Sequence, residues 1–369
     1  MTKGLNEESG NPPFLRENAG DREKWRIGIL QELGTWLSRF DIPLIQLKVM
    51  TVIMLLIKRS KAAVHALLGT EVILALREVI RKSVVDDLKN RAVCLIGYIA
   101  SEGPICRQTL IQNNFPEVIS TEALKSMEDR SSPHERKLHY IRNISMALSS
   151  LTRPTGRDEP RYLQFRCTFP YFSRAFQEYF DDESIIADNC WSLANLMTDH
   201  ENFLIIEEII RFGFCPQLVR TLKSAKGDDE RLDGALRATG NIATGTDQQT
   251  QVLLDNDFLG TAALLLENPE LTVVRETCWV LSNITAGTRD QIQQFLEYPG
   301  LLTKVASILN KDDKRWLPVR IEAAWCQSNA IIMGTSKQQE ALISSACIRA
   351  FCELLRSCKN INIHLVGQE

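Results

Sequence analysis

The chain has 369 residues, 44% of them hydrophobic and 24% charged, with a formal net charge of −3. That is globular composition with apolar material for a large core, which excludes a fibrous or wholly disordered chain. The mild acidity leaves no basic footprint for nucleic acid, and the longest apolar run, "VMTVIMLLI", is about half the length of a membrane-crossing helix, so neither nucleic acid nor a membrane is expected as a partner.

Residues 1–24 are rich in Gly, Asn and Pro and lack the apolar core of a signal peptide, so they read as a disordered lead. From Trp25 to the end, 25–369, helical spacing of apolar residues predominates, and no stretch alternates as a β-strand would. The ten cysteines form no CxxC pair and the five histidines stand apart from them, so no metal or disulfide framework and no cofactor is expected. Cys94, Cys190, Cys278 and Cys326 fall inside expected helices, as small buried hydrophobes do, and fit a reducing compartment.

In chain order, "QLKVMTVIMLLI", "NRAVCLIGYIA" and "RNISMALSSL" are helical segments in one register. A stronger signature then appears in "DNCWSLANLMTD" (Asp188 to Asp199) and "GALRATGNIATGTDQQTQVLL" (Gly234 to Leu254). It continues in "ETCWVLSNITAGTRDQIQQFL" (276 to 296) and "IEAAWCQSNAIIMGTSKQQEAL" (Ile321 to Leu342). Asn195, Asn241, Asn283 and Asn329 recur at spacings of 46, 42 and 46, and Gly-Thr follows the last three. A helical period of about 40–47 residues is that of armadillo or HEAT units, whereas tetratricopeptide and ankyrin periods are shorter. One unit divides into short helices at 291–297 and 301–309 and a long third helix at 319–333, with Gly300 and Pro318 as breakers. About eight units are expected. "CIRAFCELLRSCKNINIHLVGQE" supplies a second helix and stops where a third is due, which reads as a truncated array. The expected fold is all-α: a right-handed superhelix, or α-solenoid, of such repeats.

Third helices of a superhelix line its concave face, so residues at the unit period form a ladder with rungs about 10 Å apart. Trp279 and Asn283, then Trp325 and Asn329, are neighbouring rungs, and Trp191 with Asn195 and Arg237 with Asn241 precede them. A lone helical tryptophan is ordinarily core and a lone asparagine a local cap. Four asparagines in one register need partners, because a buried unpaired amide costs about 1–3 kcal/mol. An extended peptide backbone would satisfy their amides, and the indoles would hold lysine or arginine stems. Glu276 and Glu322, three residues before Trp279 and Trp325, would attract the cations, and Asp247 is expected at a third-helix end near the groove.

At these motifs the chain resembles the importin-α family of armadillo-repeat adaptors, strongly from about Asp188 to Leu355 and weakly but in register from about Pro43 to Thr152. The resemblance implies binding of basic nuclear localisation signals carried by cargo proteins, and a place in cytoplasm and nucleus. The family has a major peptide site in its N-terminal repeats and a minor one in its C-terminal repeats. Minor-site roles carry over to Trp279, Asn283, Trp325, Asn329, Asp247, Glu276 and Glu322. Arg237 stands where the family interrupts its tryptophan ladder, and pairing with Glu276 is expected. Three departures follow. The major-site rungs correspond to Val52/Leu56, Cys94/Tyr98 and Met146/Ser150, so that site is expected to be lost. Residues 1–26 hold five basic and five acidic residues, so the basic arm that recruits importin-β is missing and importin-β is doubtful as a partner. The last repeats, which in the family form the export receptor's docking surface, are expected to be missing as well. The alternative is a scaffold or decoy of the same fold that does not couple to importin-β. No catalytic grouping stands out, so no enzyme is expected; Asp199 and His200 read as a surface turn.

Overall fold

The computed structural model describes residues 19–131, 133–155, 162–198 and 203–344, with 351, 352 and 354. Among these the regular structure is helical, with no strand. The chain opens with α1 (Ala19–Leu37) and α2 (Pro43–Arg59). Triplets follow: α3 (Lys61–Leu68), α4 (Glu71–Lys82) and α5 (Asp86–Ser101), then α6 (Pro104–Gln112), α7 (Phe115–Glu128) and α8 (His134–Thr152). The next are α9 (Tyr162–Phe165), α10 (Phe169–Glu178) and α11 (Glu183–Leu196), then α12 (Phe203–Arg211), α13 (Phe214–Ser224) and α14 (Arg231–Ala243). After these come α15 (Asp247–Asp255), α16 (Phe258–Leu265) and α17 (Leu271–Thr285), then α18 (Arg289–Glu297), α19 (Leu301–Leu309) and α20 (Leu317–Met333), and finally α21 (Ser336–Ser344).

Two boundaries differ from expectation. The first helix starts at Ala19, upstream of Trp25, and the remainder of the expected lead lies outside the described residues. Pro318 is the second residue of α20 rather than a break before it, since proline at the first helical positions lacks only an N–H that would have no partner there. The Asp199–His200 turn, and most of the stretch after residue 344, also lie outside the described residues.

Like helices stack on like. The long third helices α2, α5, α8, α11, α14, α17 and α20 pack consecutively, and first helices pack in the same way, α12 on α15 and α18 on α21. One large apolar core runs along the stack from Leu30 to Leu354, with a small second cluster of Ile292, Ala330 and Leu342. The repeated Gly-Thr-x-x-Gln stretch explains much of the stacking. Thr246 caps α15: its hydroxyl accepts the Gln249 N–H, while Gln249 Oε1 accepts the Thr246 N–H. Thr288 with Gln291 and Thr335 with Gln338 repeat the arrangement, a capping box that satisfies two helix-end donors at once. Each glutamine then donates its Nε2 to the unit before. Gln249 reaches the Phe203 carbonyl at 2.9 Å, Gln291 that of Asp247 at 2.8 Å, and Gln338 that of Arg289 at 2.8 Å. One side chain therefore caps its own helix and fastens the preceding one. Glycine before the threonine is required at 245 and 287, because a Cβ there would collide with the capping Oε1.

Candidate functional site: a rung surface on the third helices

Each third helix buries its sides and leaves one stripe open. In α17, Thr272 is exposed and Arg275, Trp279 and Asn283 are half-buried, whereas Cys278, Val280, Leu281 and Ile284 are fully buried. In α20 the stripe is Pro318, Ile321, Glu322, Trp325 and Asn329; in α14 it is Asp233, Arg237 and Asn241; in α11, Asp188, Trp191 and Asn195. The spacing is three and four residues, one helix face. The expected rungs thus share a continuous surface.

The tryptophans are half in and half out. The Trp279 indole nests on Gly240 of α14, where a Cβ would stand 2.6 Å from Cε3 and 2.7 Å from Cη2. Only glycine leaves room for the ring. Arg237 lies over the ring, with the guanidinium 4.9 Å from its centroid, and makes an ion pair of 2.9 Å with Glu276. That pairing agrees with the sequence reading. Arg275 Nη2 adds a second contact to Glu276, 2.8 Å from Oε1. Glu276 is consequently a buried, internally neutralised carboxylate and not the open acid expected from sequence.

Glu322 differs. It has no ion pair among the described residues, and burial, together with the nearby Glu276, raises its carboxyl above the usual range, with Arg275 and Arg237 opposing. Glu322, Pro318 and Ile321 form one wall of a cleft of about 340 Å³ whose other side is Trp279, Glu276 and the two arginines. Arg275 and Ile321 were missed from sequence. Both lie four residues before a rung tryptophan, so the i−4 position on the same face was the available signal. Trp325 stands one turn on from Glu322 and does not line the cleft.

The asparagines need less from a ligand than expected. Asn241 Nδ2 donates to the Ala194 carbonyl at 3.0 Å and Asn329 Nδ2 to that of Ser282 at 2.9 Å, while Asn195 Nδ2 stands 3.5 Å from Thr152 Oγ1. These bonds tie each third helix to its predecessor, and each uses one of the amide's hydrogens. Asn283 is the exception: its Nδ2 is buried with no partner. Asp247 does not end a third helix. It is the first residue of α15, exposed, and its backbone carbonyl receives Gln291. Asp188, three residues before Trp191, occupies the place of Glu276 and Glu322. Burial lifts its carboxyl to about 6, against the Ser149 hydrogen bond and Arg153.

Among the described residues there is no grouping that could hold a metal ion, and no helix is long and apolar enough to cross a membrane. No family model matches the chain. It is 34% identical over 209 residues to importin subunit alpha-1a of Oryza sativa subsp. japonica, a match covering 56% of this chain and 36% of that protein. Against importin subunit alpha-5 of Arabidopsis thaliana it is 28% identical over 283 residues, 76% of this chain and 50% of the relative. The chain thus spans a third to a half of the length of these relatives. In three dimensions it superposes on an engineered protein with a TM-score of 0.76 at 18% identity, over 91% of this chain and 76% of the other. A designed armadillo repeat protein in complex with the peptide (KR)4 superposes with a TM-score of 0.55 at 23% identity, over 67% and 95%.

Proposed function

We propose that this chain, a divergent importin-α-like protein built as a right-handed solenoid of armadillo repeats, is a non-enzymatic adaptor binding basic segments of cargo proteins. The segments are of the nuclear-localisation-signal type, and the adaptor serves nuclear protein import between cytoplasm and nucleus. The observation that carries this reading is the cleft between Trp279 and Glu322, where an indole edge meets a carboxylate that has no cation of its own. A lysine or arginine stem fits against the indole, and its charge would favour the ionised form of Glu322. The Trp325 rung on α20 extends the surface. The importin-α relatives and the designed armadillo protein bound to (KR)4 support a peptide as the partner.

The test is fluorescence anisotropy with a labelled Lys/Arg-rich peptide. Binding should weaken as salt rises, since part of the attraction is screened. Trp279→Ala and Trp325→Ala should each lose about 1–2 kcal/mol of affinity, the scale of one cation–π slot. Affinity that is insensitive to salt and to Glu322→Gln would reject the reading.

A further inference from the structure

The N-terminal half of the same surface carries different chemistry. Its rungs are Val52/Leu56, Cys94/Tyr98 and Met146/Ser150, and Val52 and Tyr98 are each 43% exposed. Leu44, Lys48, Val52 and Leu55 recur along one face of α2, all exposed, so this stretch offers solvent an aliphatic strip. The place three residues before the rung, which holds Glu276 and Glu322 in the C-terminal half, holds Arg91 before Cys94 and Asn143 before Met146. An acid has become a cation and an amide.

The charges around the strip are disposed accordingly. Lys58 Nζ lies 5.2 Å from the Tyr98 ring centroid and, like Lys48, has no ion pair among the described residues. Arg91 bridges α5 to α2, with Nη1 3.5 Å from Thr51 Oγ1, while its Nε meets the exposed Asp87 at 3.2 Å. Acids near the strip are already matched: Asp87 by Arg91, Glu122 by Lys89 at 2.6 Å and Lys125 at 2.7 Å, and Glu102 by Lys61 at 3.8 Å. At the N-terminal ends of α5 and α8 a cleft of about 890 Å³ opens, its four acids, among them Asp86 and Asp129, balanced by four lysine and arginine side chains. It is in register with the C-terminal cleft, since Asn90 precedes Cys94 by four as Arg275 precedes Trp279. Its wall includes the Tyr140 hydroxyl, buried and without a partner.

We infer that the N-terminal half of the groove docks an extended peptide segment with apolar side chains and at least one carboxylate. The apolar side chains lie on Val52, Leu55 and Tyr98, and the carboxylate meets Lys58, which has no acid of its own among the described residues. A basic peptide finds no unmatched acid beside the strip and meets Lys48 and Lys58, which have no ion pair among the described residues. The two halves then accept segments of opposite charge, and specificity arises as much from repulsion as from attraction.

The test uses the full chain and two labelled ten-residue peptides of the same apolar residues, one alternating them with glutamate and the other with lysine. The glutamate peptide should bind, and Lys48→Glu with Lys58→Glu should weaken it at least about tenfold, as for charge pairs at an interface. The same double variant should leave a basic peptide's affinity for the C-terminal cleft within about twofold, because the sites share no residue. A photo-crosslinker on the glutamate peptide should label α2 or α5. That readout, together with Tyr98→Ala, decides the matter if the double variant does not fold. Preference for the lysine peptide at α2 and α5, labelling confined to α17 and α20, or a glutamate peptide indifferent to these substitutions would overturn the inference. Loss of basic-peptide binding at Glu322 would leave it untouched, so the two sites fail separately.

Discussion

Gly240→Ala probes the nesting of Trp279 on α14. The added Cβ would lie 2.6 Å from Cε3 and 2.7 Å from Cη2 of the indole, with another ring carbon closer still. Carbon atoms settle at about 3.5–4.0 Å, so the ring must retreat by roughly 1 Å or more. It cannot retreat freely, because Arg237 stacks on it and is held by Glu276. Overpacking of this kind costs about 1–3 kcal/mol, whereas alanine gains about 1 kcal/mol over glycine in a helix interior. The expected net loss of stability is therefore small, about 0–2 kcal/mol, measured by urea denaturation. The displaced indole should lose a larger share of its grip on a basic peptide, about 1–2 kcal/mol by anisotropy. The decisive measurement is a double-mutant cycle. On a Trp279→Ala background there is no ring to displace, so Gly240→Ala should become neutral or stabilising. Equal destabilisation with and without the indole would refute the proposed nesting.

Gln291→Ala removes the partners of the Thr288 N–H and the Asp247 carbonyl and should cost about 1–3 kcal/mol in urea denaturation; the exposed neighbour Gln248→Ala, on α15, should cost far less. Asn329→Ala removes one hydrogen bond to the Ser282 carbonyl, which keeps the Ala286 N–H and the Thr285 hydroxyl, and should lower stability by about 1 kcal/mol or less, measurable as a shift in Tm even without peptide. Asp188 keeps its proton to about pH 6 in the folded chain, against 3.8 for the ordinary group, so the folded state binds more protons than the unfolded one between these values. Its contribution to stability therefore falls as pH rises from about 4 through about 6, and Asp188→Asn should flatten that part of the stability–pH curve. An unchanged slope would place the titration elsewhere.

The period, helix type and rung register of this chain are legible in sequence because they are local. Apolar spacing of three and four residues makes a helix amphipathic wherever it occurs, and Trp279/Asn283 and Trp325/Asn329 lie on one face by helical geometry alone. Gly-Thr-x-x-Gln announces a cap for the same reason. Apart from the Arg237–Glu276 pair, what each polar group meets across units is not legible, because the partner is some forty or more residues away and depends on how neighbouring helices are offset. Asn241 and Asn329 look identical to Asn283 in sequence, yet two find a carbonyl on the preceding helix and the third does not. Glu276 and Glu322 occupy equivalent places, but Arg237 and Arg275 reach only Glu276. Charge and hydrogen-bond balance in a solenoid is settled between units, where a displacement of about 1 Å makes or breaks a contact.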